Sequence, residues 1–450
     1  MKNIKSLSPF SLVLLFTSFT MSISQSTMTT TYPILMKQFG INAANVQWVT
    51  SGFMVAMTLI MPLSPWLLDN IPLKKLLNLI VGIFLAGTLY AMVTPNFIGV
   101  VIGRLLEGIA VGALFPTYQA VIIENTPTED RGVAMGTVGL VMGSALAVGP
   151  IVSGIVLQWG SWRILFGLFF VVLLVLIMSM QSKIENTHKL APRSFDFLSA
   201  FLLIGFAGIL YTISVLPATG WNWILITTLV VSILFLTIFV IRQLKEKTPF
   251  LDLRVFRHAG YLPAMLLTGM SYSGLITATV LMPLYFQKVY GLVPVLSGLL
   301  MIPAAVFLSS LNPRAGRLLE KIGLRPLVLL GSTMMVLGYL DLAVFGTRYL
   351  LLAILGAMLL EGGNAFIMMP AVTAANNALP THLVSHGTAI ITTMRQVIGA
   401  SSILVASILI GIFSKTVSYG ASLNQTAAWF ILIPLSGYLL ASRIKVQKAE

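Results

Sequence analysis

Apolar residues run through this chain in long blocks broken by short polar turns. Fourteen of the blocks approach or exceed the roughly 20 residues that a membrane-crossing helix needs: 10–31, 46–68, 76–94, 97–122, 132–157, 163–181, 196–216, 221–241, 260–286, 294–311, 326–345, 349–371, 387–413 and 425–442. The pattern predicts an all-α integral membrane protein with fourteen transmembrane helices.

Two charges interrupt the fourth block, in Gly103-Arg104-Leu105-Leu106-Glu107-Gly108, upstream of Ala113-Leu114-Phe115-Pro116. A charge at the centre of a spanning helix costs about 2.5–3.5 kcal/mol on insertion scales, so it faces a cavity or a partner. The motif returns: Leu359-Leu360-Glu361-Gly362 and Pro370 repeat Leu105-Leu106-Glu107-Gly108 and Pro116 at an offset of 254 residues. The two glutamates thus hold equivalent places in two half-molecules.

Composition agrees with the bilayer. The chain has 450 residues, 57% hydrophobic and 9% charged, with a mean hydropathy of +0.95, too apolar for a soluble globular protein. Its net charge of +14 is a topology signal. On the fourteen-span map, Lys2, Lys5, Lys74, Lys75, Arg131, the basic residues between 183 and 193, those from Arg242 to Arg257 and from Arg314 to Arg325, and Arg443, Lys445 and Lys448 fall on one side. Only Lys37, Lys288, Arg348 and Lys415 fall on the other. Under the positive-inside rule both termini are cytoplasmic, and with no compact basic domain nucleic acid is not an expected partner. The first block follows Lys2 and Lys5 without a small-residue cleavage site and is read as a retained span. There is no cysteine, and His188, His258, His382 and His386 map to cytoplasmic loops, so neither thiol chemistry nor an intramembrane metal site is expected.

Span one carries Ser18, Thr20, Ser22, Ser24, Gln25, Ser26, Thr27 and Thr29 to Thr31. Two readings stand: these residues line a wet cavity, or they pack helices closely through small side chains. After span two, Asp69 is followed five residues on by Lys74. In the second half Glu320 is followed by Arg325, at an offset of 251. An acid and a base in both cytoplasmic turns suit a charge latch that breaks when the halves rock. The bland alternative is an exposed ion pair contributing about 0–1 kcal/mol.

At this point the chain resembles a major facilitator superfamily transporter, in particular the fourteen-helix drug/proton antiporter group. The family's loop signature, Gly-x-x-x-Asp-x-x-Gly-Arg-Lys, is partly kept: Asp69 and Lys74 are present with Pro65 and Pro72 at its glycines, and the second copy has Gly316, Glu320 and Gly323. Arg104 and Gly108 match the fourth-span Arg-x-x-x-Gly element, and Glu107 stands where the family commonly has Gln. Gly136, Ala145, Gly149, Pro150, Ser153 and Gly154 in span five resemble the antiporter motif of exporters. Trp162-Arg163-x-x-Phe166 and Arg395-Gln396-x-x-Gly399 resemble marks of the fourteen-helix group. The resemblance implies two pseudo-symmetric six-helix bundles, 1–181 and 259–450, joined by 182–258, which holds cytoplasmic linkers and two extra helices. Arg131, Gly149, Pro150, Glu320 and Arg395, with Asp69 and Lys74, are the expected conformational residues.

Glu107 and Glu361 lie about 16–20 Å below the outer end of their spans at 1.5 Å per residue, near the midplane where such transporters bind substrate. A carboxyl taken out of water holds its proton more tightly, and a nearby positive charge opposes this. Glu361 is therefore the stronger candidate for proton coupling. Glu107, one turn from Arg104, is either a second coupling acid or a static ion pair, and Arg395 is a possible partner for Glu361. Asp341 is either interfacial or an outer-gate proton site. Where the family's first span commonly carries Leu-Asp-x-Thr, Ser24 stands at the Asp, so Glu107 is a candidate replacement acid.

With no Gly-x-x-x-x-Gly-Lys-Ser/Thr loop, the driving force expected is an ion gradient, with no cofactor and no enzymatic reaction. The expected function is export of amphipathic, cationic drugs or dyes in exchange for protons by a monomer in the cell membrane. Tyr32, Phe115 and Tyr118 join Ser24, Gln25 and the two glutamates as candidate substrate contacts. A proton-coupled exporter of a metabolite or lipid shares every one of these features, and a non-transporting sensor would need no midplane acids.

Overall fold

The computed structural model describes residues 9–41, 43–180, 190–192, 194–246 and 249–444. The boundary at 181/182 and several basic residues used in the charge argument, Lys2, Lys5, Lys183, Lys189, Arg193, Lys247, Lys445 and Lys448, lie outside these.

Every regular element among the described residues is helical, the expected outcome where no water is present to satisfy loose backbone groups. The main helices are α1 (Pro9–Thr27), α2 (Trp48–Ile60, continued by a tight turn into Ser64–Asn70), α3 (Leu73–Val93), α4 (Phe97–Glu124), α5 (Arg131–Trp159), α6 (Arg163–Met180), α7 (Ile204–Thr219), α8 (Trp223–Lys245), α9 (Tyr261–Leu284), α10 (Ile302–Ile322), α11 (Leu324–Phe345), α12 (Leu350–Asn377), α13 (Val384–Phe413) and α14 (Tyr419–Phe430, continued by Leu432–Ser442). Ten helical stretches among the described residues are long and apolar enough to cross a membrane.

The packing repeats. In the first half α2 and α3 both pack on α4, and in the second half α10 and α11 both pack on α12. Glycines set the closest of these approaches. A Cβ on Gly87 of α3 would lie 2.7 Å from the Gly103 carbonyl oxygen of α4, and one on Gly338 of α11 would lie 2.8 Å from the Gly356 carbonyl oxygen of α12. Gly87 and Gly338 stand 251 positions apart, so the repeat holds at the level of backbone contact. Such small-residue contacts are what pack helices in lipid, where burial of apolar surface gives no net drive.

The two halves meet where α5 runs along α10 and where α4 touches α13. At one end this seam is backbone against backbone: a Cβ on Gly132 would come within 2.5 Å of the Gly316 carbonyl oxygen, and one on Gly136 within 2.6 Å of the Asn312 carbonyl oxygen. The turns carrying Lys74, Arg131 and Lys321 lie at this end, called here the basic face. Helix α7 packs on both α2 and α13 and pairs with α8. Many residues of α8 face outward, Trp223, Ile224 and Leu234 among them, as suits a helix bordered by lipid.

Candidate functional site

Helix α4 begins where the Asn96 side chain accepts the Gly99 N–H at 2.7 Å, satisfying one of the orphan donors of the first turn. Seven and ten residues past Phe97, about 10 and 15 Å along the axis, Arg104 and Glu107 fall three apart on one face. Both side chains are fully buried and ion-paired to each other. Neighbouring helices complete the pair. Thr88 of α3 donates to Glu107 Oε1 at 2.7 Å, and Ser24 of α1 donates to Oε2 at 3.3 Å. Arg104 donates through Nη1 to Ser24 Oγ at 3.1 Å and through Nε to the Val49 carbonyl at 3.2 Å, and lies 4.3 Å over the Phe53 ring. Both oxygens of Glu107 are thus occupied, and Ser24, which stands where an acid was expected, reaches Glu107 directly.

The second half places Glu361 at the same depth, eleven residues into α12, but without the pair. At the offset of 254 the counterpart of Arg104 is Met358, and at the offset of 251 the counterpart of Thr88 is Tyr339. Met358 packs into the apolar core. Glu361 is 4% exposed, and its Oε2 has no hydrogen-bond partner. Tyr339 faces Glu361 closely enough to interact electrostatically, yet its hydroxyl makes no hydrogen bond. No ion pair links Glu361 to Arg395 among the described residues, which corrects the pairing considered from sequence.

Arg395 lies elsewhere, about 16 Å from the basic-face start of α13, at the junction of the halves. It is 2% exposed, its Nε and Nη1 have no partner, and its guanidinium lies 5.4 Å from the Tyr272 ring centre. Tyr118 of α4 interacts with it electrostatically. Tyr118 itself packs edge-on against Phe115, with ring centres 6.0 Å apart.

The remaining candidates divide between the two ends. Tyr32 donates to Thr50 Oγ1 at 2.7 Å, near Arg104; Gln25 is half-buried beside Ser24. Gly149 presses on Ser26 of α1, where an added Cβ would collide with the hydroxyl. Pro150 falls within α5, and its side chain is outside the described residues. Asp341 is half-buried near the end of α11 with Oδ2 unpartnered. A cavity of about 660 Å³ opens at that end, lined by Lys288, Arg348 and Asn424 among others.

At the basic face three of the expected conformational residues, Arg131, Glu320 and Asp69, contact the other half. Arg131 donates to Asn377 Oδ1 at 2.9 Å and to the carbonyl oxygens of Ile123 and Thr126. Glu320 Oε1 accepts the Val133 N–H at 3.1 Å. Asp69 Oδ2 lies 4.0 Å from Nε2 of His386 on α13, and Nδ1 of His386 accepts the Asp252 N–H at 3.2 Å. Lys74, one turn past Asp69, is half-buried.

Sequence reasoning missed His386, which it left in a loop and which is in fact buried between the halves. It also missed Thr88, Tyr339, Gln119 and Asn312. The last two were findable, since an amide inside an apolar span raises the same question as a charge.

A family model described as Major Facilitator Superfamily matches residues 14–404. The uncharacterized MFS-type transporter YcnB of Bacillus subtilis is 31% identical over 96% of this chain and 94% of its own length. A lincomycin resistance protein, LmrB of Listeria monocytogenes, is 31% identical over 83% of this chain and 80% of its own. Among solved structures, the human organic anion transporter MFSD10 superposes with a TM-score of 0.71 over 97% of this chain and 100% of that one, at 13% identity, a likeness of fold alone. Repeat, packing and comparison agree, and the chain belongs to the major facilitator superfamily, a multi-pass membrane transporter.

Proposed function

We propose that the protein is a proton-coupled exporter of amphipathic, drug-like molecules with a cationic group, working by alternating access, and that Glu361 carries the coupling proton. The observation behind this is the contrast between two buried glutamates at one depth. Glu107 has a counter-charge and two hydroxyl donors, whereas among the described residues Glu361 has no ion pair and an unpartnered oxygen. A carboxyl without a fixed counter-charge is free to alternate between a proton and a cationic ligand, and the site lies where transporters of this fold bind substrate.

In this reading the chain spans the membrane fourteen times with the basic face in the cytoplasm, as one monomer of two six-helix bundles and two linker helices, within the drug/proton antiporter group. Relatives named lincomycin resistance proteins support drug export. The seam of Gly132, Gly136 and Gly316, with Arg131, Asp69 and Glu320 beside it, is the cytoplasmic closure. A proton arriving from the open side displaces substrate outward and leaves inward once the halves have rocked.

The test uses inside-out vesicles with an imposed proton gradient and an interior pH dye. Adding a quaternary ammonium or ethidium substrate should release protons from wild type and Glu107→Gln but not from Glu361→Gln. Release that persists in Glu361→Gln would show that another group carries the proton.

A further inference from the structure

Away from the two glutamates, several buried polar atoms along the seam have no partner among the described residues. They are Nε and Nη1 of Arg395, the Tyr118 hydroxyl, and both polar atoms of the Gln119 and Asn312 side chains. All four residues are at most 2% exposed. The Tyr118 hydroxyl and the Gln119 amide face each other short of a hydrogen bond, and Tyr118 faces Arg395. Asn312 of α10 sits between α5 and α12, where a Cβ on Gly139 would meet its Oδ1 at 2.6 Å and the Met369 side chain at 2.7 Å. Tyr272 of α9 lies under Arg395, and it and Leu311, the neighbour of Asn312, both pack against the small cluster of Leu275, Leu308 and Ala365. Arg395 and Asn312 each lie about 15–16 Å from the basic-face end of their helices, and Glu361 lies about 24 Å from that end of α12. The cluster therefore lies on the basic-face side of the coupling acid.

Most buried polar groups are paired, and a buried guanidinium with two unmet donors and no carboxylate in ion-pair reach is costly to fold. Around them α4 packs on α13 and α5 on α10, and among the described residues these side-chain atoms have no hydrogen-bond partner. A fold that retains such groups is prepared for something that completes them. Arg395 requires acceptors in a plane, the geometry of a carboxylate or similar oxyanion, and the Gln119 and Asn312 amides can donate to the same group. The Tyr272 and Phe115–Tyr118 rings supply apolar walls.

We infer that Arg395, with Gln119 and Asn312, forms a subsite for an oxyanion carried by the substrate, so that the preferred substrates are amphiphiles with a carboxylate in addition to a cationic group. The inference rests on the exporter reading for its second contact: the cationic end addresses Glu361, and the oxyanion anchors at the level of Arg395. A substrate with the cation alone fills half of the site.

The experiment compares a cationic xanthene dye bearing a free carboxylate with the methyl ester of the same dye, using the full-length protein in detergent. Fluorescence binding should show the acid binding about tenfold more tightly than the ester, with that ratio collapsing to near one in Arg395→Gln and partly restored in Arg395→Lys. Gln119→Leu and Asn312→Leu guard against misfolding. Each removes unpartnered amide atoms, so each should raise the unfolding temperature while weakening the acid more than the ester, a combination that a purely structural role does not produce. Equal affinities for acid and ester, or a ratio unchanged in Arg395→Gln, would overturn the subsite. Glu361-dependent proton release driven equally by both dyes would sink this inference and leave the exporter standing. A preference for the acid without any proton movement would keep the subsite and remove the exporter.

Discussion

Glu107 and Glu361 occupy one place in two copies of a repeat, and what distinguishes them comes from the few side chains around each, two of them at equivalent positions. In α4 the residue one turn before the glutamate is Arg104, and the facing position in α3 is Thr88. In α12 and α11 those positions are Met358 and Tyr339. The first acid is therefore tied by an ion pair and two hydroxyls, and the second keeps an unpartnered oxygen among apolar side chains. A duplicated scaffold thus holds one glutamate in an ion pair and the other with an unpartnered oxygen, the contrast on which the proposed coupling role rests. The close glycine contact between the third and fourth helices of the first half recurs between α11 and α12, so the difference at the acids is chiefly one of side-chain chemistry.

The largest expected effect comes from making the first site resemble the second. Arg104→Met leaves Glu107 buried without its counter-charge, and breaking a buried pair from one side costs about 3–5 kcal/mol. Thermal unfolding in detergent should show a destabilised or poorly expressed protein, with most of the loss recovered in Arg104→Met/Glu107→Gln. A single variant as stable as wild type would mean that the pair is not the brace the geometry describes.

At the second site the prediction runs the other way. Glu361→Gln removes no partnered charge, so its stability should match or slightly exceed wild type. Substrate-driven proton release should fall at least tenfold, about 1.4 kcal/mol or more. Equal losses of stability in Glu361→Gln and Glu107→Gln would erase the distinction between the two acids.

Met358→Arg sharpens the comparison by moving the pair into the second half. At three residues from Glu361 on one helical face, the new guanidinium should fix the carboxylate and suppress proton release several-fold in protein that still binds dye. A variant that folds and couples normally would show that counter-charge at this position does not decide which glutamate works.

Much of this was legible beforehand, because the repeat and the charges are local features of the sequence. The offset of 254 residues placed both glutamates, and the spacing of Arg104 to Glu107 announced a pair on one face. What sequence did not reveal depends on which helices become neighbours. Thr88 and Ser24 reach Glu107 only because α3 and α1 lie against α4. Asp69 was read with Lys74, five residues on, but it also faces His386, far along the chain, because α2 and α13 close the same seam. Asn312 and Gln119 went unread although they are amides inside apolar blocks, and only the packing reveals that their side chains have no partner among the described residues.

The smallest effect concerns that seam, and it tests whether the acids of the basic face belong to the gating device rather than to the coupling site. His386 has its Nδ1 occupied by the Asp252 N–H, so the ring proton sits on Nε2, directed toward Asp69 across the halves at 4.0 Å. A contact of that length is longer than a hydrogen bond and contributes about 1 kcal/mol at most, so removing it should shift the closed-to-open ratio up to about fivefold while leaving the fold and Glu361 chemistry intact. The chain has no cysteine, so Thr128→Cys and Lys321→Cys, both at exposed positions on opposite sides of the seam, can carry spin labels without further changes. In Asp69→Asn and His386→Ala the long-distance population should rise by that modest factor, and the double variant should rise no further than either alone. Additive shifts in the double variant would mean that the two residues act on the seam separately, and that the gate of the first half is held by some other contact.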